Sequence, residues 1–197
     1  MLPLVAGLTL FLGTHAFTMD RGDRARLIQR LGEGRYKLAY SLLSLAGILL
    51  ISYGFGLYRR EGWINVWSPP VWTRHLSLLL TWAAFVALAA AYLPGRIKGA
   101  LKHPMLAAVK IWALSHLLAN GDLGSILMFG SFLAWAVAAR ISVKHRPDEV
   151  RQRGGPVAIP AGWRNDAMAL GIGTAIWSVF ARWLHPSWIG VAVWPGT

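Results

Sequence analysis

The chain has 197 residues, of which 55% are hydrophobic and only 14% are charged. A soluble domain has about 25% charged residues, so this composition excludes a water-soluble globular domain. The absence of cysteine excludes disulfides, thiolate metal sites and thiol catalysis. The net charge of +12 does not indicate nucleic-acid binding, because the basic residues lie in short stretches between long apolar runs. That distribution suits anionic lipid headgroups and membrane topology.

Six apolar runs predict six membrane helices. In chain order they cover residues 2–17, 36–58, about 76–93, 104–118, about 123–141 and 166–183. The first run has its arginines after the apolar stretch, which predicts an uncleaved helix instead of a secretory signal. We expect His185 and Pro186 to break the last helix, with a re-entrant or interfacial tail at 188–194. The predicted fold is all-α and polytopic, with residues 1–197 in one domain.

Lysine and arginine are concentrated in the first, third and fifth loops, whereas the second loop holds only Arg59, Arg60 and Arg74. By the positive-inside rule, the odd loops are cytoplasmic and both termini are periplasmic. We interpret the basic stretch at 140–164 as a positive-inside loop, not as a partner-binding surface.

Ionisable residues inside apolar runs are the first functional candidates. His116 lies roughly 18 Å into the fourth run. It either ligates a metal through one imidazole nitrogen or ties two helices by a hydrogen bond. His15, near the end of the first run, is either a ligand or a headgroup contact. Two membrane histidines suit haem b better than zinc, since haem needs only one or two axial nitrogens.

Helix rise predicts unequal depths for the two histidines. Measured from the outer face, His15 is expected at ~21 Å and His116 at ~12 Å. Opposing axial ligands normally lie at similar depth, so His75, near the outer face, is a spare candidate.

Three further basic residues lie on or before the fourth helix. Lys110 is expected to snorkel to the interface or to neutralise a carboxylate, such as a haem propionate or a substrate acid. Lys102 and His103 precede Pro104 at a helix start, where backbone donors favour anions; the alternative is a simple positive-inside cluster. The second helix has a stripe of small and polar residues that predicts a packing seam: Tyr40, Ser44, Gly47, Gly54 and Tyr58.

Three segments resemble the NnrU family. They are RLGEGRY at 30–36, KHPML at 102–106 and WALSHLLANGD at 112–122, and the resemblance extends over nearly the whole chain. It implies a bacterial inner-membrane protein linked to denitrification and nitric oxide metabolism.

The family is similar to the plant zeta-carotene isomerase, which binds haem b through two histidines and drives cis-to-trans isomerisation of a polyene. This resemblance implies that His15 and His116 are axial ligands, with Lys102, His103 and Lys110 near the propionates. It also implies isomerase or redox activity on a lipophilic small molecule. The isomerase has a cysteine where this chain has Ala113, so a ligand exchange involving cysteine does not carry over.

A more distant resemblance is to the isoprenylcysteine-type membrane methyltransferases. It rests on Lys102-His103-Pro104, Asp148-Glu149 and Ile159-Pro160. It implies S-adenosylmethionine-dependent methylation, although lysine replaces the leading arginine and the expected G-x-x-Y spacing is absent. A third hypothesis is a non-catalytic regulatory or assembly protein whose histidines tie helices together. The lipid bilayer is the one partner that the sequence identifies.

Overall fold

The computed structural model describes residues 1–145 and 163–194. This part of the chain forms nine α-helices and contains no β-strand. They are α1 (Leu2–Phe17), α2 (Arg21–Leu31), α3 (Glu33–Arg60), α4 (Val71–Tyr92), α5 (Arg96–Leu101), α6 (Pro104–Ala119), α7 (Leu123–Lys144), α8 (Arg164–Val179) and α9 (His185–Ile189). A π-helical segment, Phe180–Leu184, joins α8 to α9. The all-α, polytopic fold class is confirmed.

All six predicted apolar helices are present, as α1, α3, α4, α6, α7 and α8. Within the described residues, four helices are long and apolar enough to cross a membrane, or five if the bent pair α1–α2 is one span. The difference from six lies in α1 and α6, which have 16 residues each. At 1.5 Å per residue, such a helix is about 24 Å long, shorter than the ~30 Å apolar core of a bilayer.

Two helices in the basic loops, α2 and α5, were not predicted. Both are polar and short, so neither has an apolar periodicity that would reveal it. Asp20 caps α2, since its side chain accepts a hydrogen bond from the Asp23 backbone N–H at 3.0 Å. The carboxylate of Asp166 similarly accepts from the Ile97 N–H at the start of α5, at 3.0 Å. A capping aspartate was therefore the available signal for α2.

The predicted break at His185 and Pro186 is wrong. The helix continues to Ile189, through the π-helical segment in which the His185 N–H donates to the Phe180 carbonyl. Proline lacks an N–H and clashes with the carbonyl four residues earlier, and a wide turn is one way in which a helix accommodates these defects. The helix ends at Gly190, whose positive φ of 74° favours glycine. Trp188 is therefore helical, and only residues 190–194 of the predicted tail are not.

The described helices belong to two compact units. The first comprises Met1–Ser68 with Asn120–Lys144, and the second Pro69–Ala119 with His145–Thr197. The single domain predicted over residues 1–197 stays a prediction.

In the first unit, α1 packs against α3 through glycines that allow the two backbones to approach closely. A Cβ atom on Gly7 would lie 2.5 Å from the Ile51 backbone nitrogen, and one on Gly47 would lie 2.8 Å from the Phe11 nitrogen. Gly54 is in equally close contact with the Leu4 backbone. The packing seam predicted on α3 is thus confirmed. Small residues suit this contact because apolar surface gains little by leaving lipid.

The connection after α3 is held by backbone hydrogen bonds within the same unit. The Val66 and Trp67 N–H groups donate to the Gly121 carbonyl at 2.8 and 3.1 Å, and the Leu123 N–H donates to Ile64 at 2.9 Å. The buried Tyr58 hydroxyl accepts from the Ile64 N–H at 3.0 Å. These bonds fix the end of α3 to the start of α7.

In the second unit, α4 lies against both α6 and α8, and hydrogen bonds join the three helices. The Ser77 hydroxyl shares its proton between the Ser115 carbonyl of α6 at 2.7 Å and the Thr73 carbonyl of its own helix at 2.8 Å. On the other side, the Trp82 indole donates to Thr174 of α8 at 2.9 Å, and the Trp177 indole donates to Thr81 at 3.2 Å. These side-chain bonds hold α6, and with it His116, in register against α4.

We predict that Gly54→Ala lowers the free energy of unfolding by about 1–3 kcal/mol, because the added methyl group meets the backbone of Leu4. Gly56→Ala is the matched control, since a Cβ there meets nothing within 4 Å. Alanine is the better helix former, so the control is expected to be neutral or slightly stabilising. Denaturation of both variants in mixed micelles tests this, and equal stabilities would contradict the close α1–α3 contact.

We also predict that Ser77→Ala destabilises the protein by about 0.6 kcal/mol, the average for a hydrogen bond between membrane helices. Ser52→Ala is the control, because the exposed Ser52 hydroxyl donates only to the Ile48 carbonyl of its own helix. The same denaturation assay measures both, and the prediction fails if the two variants lose equal stability.

Candidate functional site

His15 lies one turn from the end of α1, half-buried among aromatic side chains of the first unit. Its Nδ1 is 2.8 Å from the Phe11 carbonyl oxygen, four residues earlier. A carbonyl can only accept, so this contact assigns the imidazole proton to Nδ1 and leaves a lone pair on Nε2. The ring centroid lies 4.2 Å from that of Phe11, 5.3 Å from Tyr40 and 5.7 Å from Trp135.

Two buried polar atoms around this cluster have no hydrogen-bond partner among the described residues. They are the Tyr36 hydroxyl and the Trp135 indole nitrogen, whereas the Ser44 hydroxyl is within hydrogen-bonding reach of Tyr40. Tyr36, Tyr40 and Ser44 follow one another at four-residue intervals, so they share one face of α3. An unsatisfied buried donor costs about 1–3 kcal/mol. A polar ligand or an ordered water beside His15 would remove that cost.

His116 of α6, in the second unit, has the same local arrangement. Its Nδ1 lies 2.9 Å from the Trp112 carbonyl oxygen, four residues earlier, and 3.3 Å from the Ser115 hydroxyl. The Trp112 ring lies against the imidazole, with the centroids 5.2 Å apart. The contact with a carbonyl again assigns a proton to Nδ1.

His185, in the same unit as His116, was missed as a candidate because its proline neighbour predicted a break. It lies within electrostatic range of His116. Its Nδ1 is 2.8 Å from the Val191 carbonyl oxygen, which gives this imidazole the same proton assignment. A histidine before proline at a helix end has no distinctive sequence signal, so only the structure could find it.

The other predicted site residues are all in the second unit. Lys102 is exposed between α5 and α6 and has a positive φ of 60°, which is a strained backbone conformation for a residue with a side chain. His103 is half-buried, and its carbonyl accepts from the Ala107 N–H at 3.0 Å in the first turn of α6. Lys110 is half-buried in α6, whereas the spare candidate His75 is exposed on α4.

The structure thus places Lys102, His103, Lys110 and His116 along α6 and its start, and His15 in the other unit. Asp148, Glu149, Ile159 and Pro160, which carry the methyltransferase resemblance, lie outside the described residues. Across residues 1–145 and 163–194, no three histidine or carboxylate side chains converge on one point. A haem needs only one or two histidines, so the bis-histidine prediction is untested by this finding.

Comparison with known proteins gives one match. The model of the family described as NnrU protein matches residues 3–193. No curated protein and no solved structure matched the chain. Because the match extends over almost the whole sequence, the chain belongs to the NnrU protein family.

Proposed function

We propose that this NnrU protein binds haem b within the membrane and supports nitrite or nitric oxide respiration, and that His15 and His116 are the histidines that would hold the haem. The observation that carries the proposal is that both imidazoles make the same kind of hydrogen bond. In each, Nδ1–H donates to the backbone carbonyl four residues earlier. Such a bond fixes the tautomer and the ring orientation of a metal-ligating histidine.

The surroundings of each histidine suit a flat, apolar macrocycle. His15 is enclosed by aromatic rings of α1, α3 and α7. On α6, small buried residues precede His116, since Ala113 and Ser115 are both 0% exposed. Apolar and aromatic surroundings of this kind suit haem b, whose binding depends on burial as well as on its histidine ligands.

Haem b would supply a redox-active iron, and the protein would supply its orientation and its apolar surroundings. On the α6 side, Lys102, His103 and Lys110 are the cationic or protonatable groups available to the propionates. A site deep in the bilayer favours a lipophilic small molecule as substrate, with isomerase or redox chemistry as the reaction class. Of the three segments behind the methyltransferase resemblance, the structure describes only Lys102-His103-Pro104.

The same proposal includes a bacterial inner-membrane location, with cytoplasmic odd loops and periplasmic termini. The support is the excess of lysine and arginine in the odd loops. In the described residues, α2 places four arginines in the first of these loops.

We predict that detergent-purified protein from haem-replete cells shows a Soret band, with sharp α and β bands after reduction by dithionite. His15→Ala and His116→Ala are each expected to lose or alter these bands because each removes an axial nitrogen. His75→Ala is the matched control, since His75 is exposed on α4. His185→Ala identifies which histidine of the second unit is the ligand.

A folded protein without a Soret band would overturn the haem proposal. Size-exclusion chromatography and circular dichroism of each variant separate loss of haem from loss of fold. In that outcome the histidines would be interhelical ties, and S-adenosylmethionine binding sensitive to His103→Ala would become the next test.

The orientation can be tested with single cysteines, because the chain has none of its own. We predict that Ser68→Cys, in the loop between α3 and α4, reacts with a membrane-impermeant maleimide added to spheroplasts. Arg30→Cys, near the end of α2, should react only after permeabilisation. Both positions are exposed, so burial does not explain a difference between them. The opposite labelling pattern would contradict the proposed topology.

A further inference from the structure

An open cavity of about 430 Å³ lies in the first unit where α1, α2 and α3 meet. It is lined by two cations and four hydroxyl-bearing side chains, with no carboxylate: Thr18, Arg24, Tyr36, Lys37, Tyr40 and Ser41. Most of the exposed lining is apolar, and its polar groups are hydrogen-bond donors and positive charges. Such groups recognise an oxyanion.

Tyr36 is the most informative side chain in this lining. It is only 7% exposed, and its buried hydroxyl has no hydrogen-bond partner among the described residues. Buried hydroxyls are normally satisfied, so an unpaired one indicates an absent acceptor. This hydroxyl has less than 1 Å² of accessible surface, so an anionic oxygen in the cavity would become its acceptor once a neighbouring side chain moves aside.

Arg24 lies directly over Tyr36, with its guanidinium carbon 5.7 Å from the ring centroid. Its neighbour Arg26 is paired with Asp23 at 2.6 Å, but Arg24 makes no ion pair with a described carboxylate. Lys37 is paired with the exposed Glu33 at 2.7 Å, and the Arg24 guanidinium also attracts that carboxylate. Two cations and one carboxylate leave one net positive charge beside the cavity. A guanidinium presents a planar fork of donors that matches two phosphate oxygens.

The position of α2 indicates which phosphate-bearing molecule would meet this cavity. The axis of α2 is bent by 92° from α1, so α2 lies along the membrane surface if α1 enters the bilayer. It has four arginines and a single aspartate. Basic helices next to a membrane attract anionic lipids. The cavity therefore opens beside a helix suited to the headgroup layer.

We propose that this cavity binds the phosphate of an anionic phospholipid headgroup. Arg24 holds two phosphate oxygens, and Lys37, which is paired with Glu33 in the free protein, adds a second cation. The Tyr36 hydroxyl, buried in the free protein, donates to the phosphate once the side chains that cover it move aside. The Tyr40 ring lies 6.3 Å from Tyr36 and 5.3 Å from His15, so the bound lipid would lie beside the aromatic cluster around His15. The proposal does not depend on haem, because it concerns residues and a cavity that need no cofactor.

Native mass spectrometry of the delipidated full chain, titrated with phosphatidylglycerol or phosphatidylcholine, tests the proposal. We expect preferential binding of phosphatidylglycerol and about a tenfold loss of affinity in Arg24→Gln, the loss of one charge-assisted hydrogen-bonded pair. Tyr36→Phe, which keeps the ring and removes only the hydroxyl, is expected to lower affinity severalfold. The matched control is Arg26→Gln, which removes an equal charge from the same helix but at the arginine paired with Asp23.

Equal losses in Arg24→Gln and Arg26→Gln would overturn the site, because binding would then reflect only the charge of α2. A third titration uses inorganic phosphate. If phosphate alone binds with the same dependence on Arg24 and displaces no lipid, the site takes free phosphate and the lipid assignment is wrong. If Arg24→Gln does not fold, Tyr36→Phe decides, since unchanged lipid affinity in that variant would also overturn the proposal.

Discussion

The constraint on which this protein depends is the lack of water around its apolar helices, which obliges polar groups to find partners inside the protein. Hydroxyl groups find an acceptor within their own helix. The Thr14 hydroxyl, for example, donates to the Leu10 carbonyl four residues earlier. His15 and His116 likewise donate from Nδ1 to the carbonyl oxygen four residues earlier. As a consequence, each imidazole has a defined proton and orientation before any ligand binds. A requirement of folding thus fixes the orientation of the two histidines that we propose as haem ligands.

The glycine seam determines which residues His15 meets. Leu4 lies against Gly54, and Phe11 lies against Gly47, so α1 and α3 run antiparallel in a fixed register. Continuing that register by one turn brings His15 to the level of Leu43, about one turn of α3 from Tyr40, whose ring it contacts. A larger residue in place of either glycine would separate the helices and remove that contact. The close packing of the first unit and its aromatic cluster are therefore one feature.

In the second unit, hydrogen bonds replace close glycine contacts along the helix that contains His116. Ser77 joins α4 to α6 immediately beside that histidine, while Trp82 and Trp177 join α4 to α8. The two histidines are consequently held by different means, one by steric contact and the other by side-chain donors. Both means leave the backbone of the surrounding helices intact, which a site inside a bilayer requires.

The sequence by itself determined the helical class and the six apolar helices, because hydrophobic length and periodicity are local properties of the chain. It also identified His15, His116 and the seam on α3, since polar residues within apolar runs are conspicuous. Only the tertiary structure decided the bend between α1 and α2, the continuation through Pro186, and the unpaired Tyr36 hydroxyl. Each of these depends on which atoms of distant or adjoining helices are within reach, and residue spacing along one chain does not specify such distances.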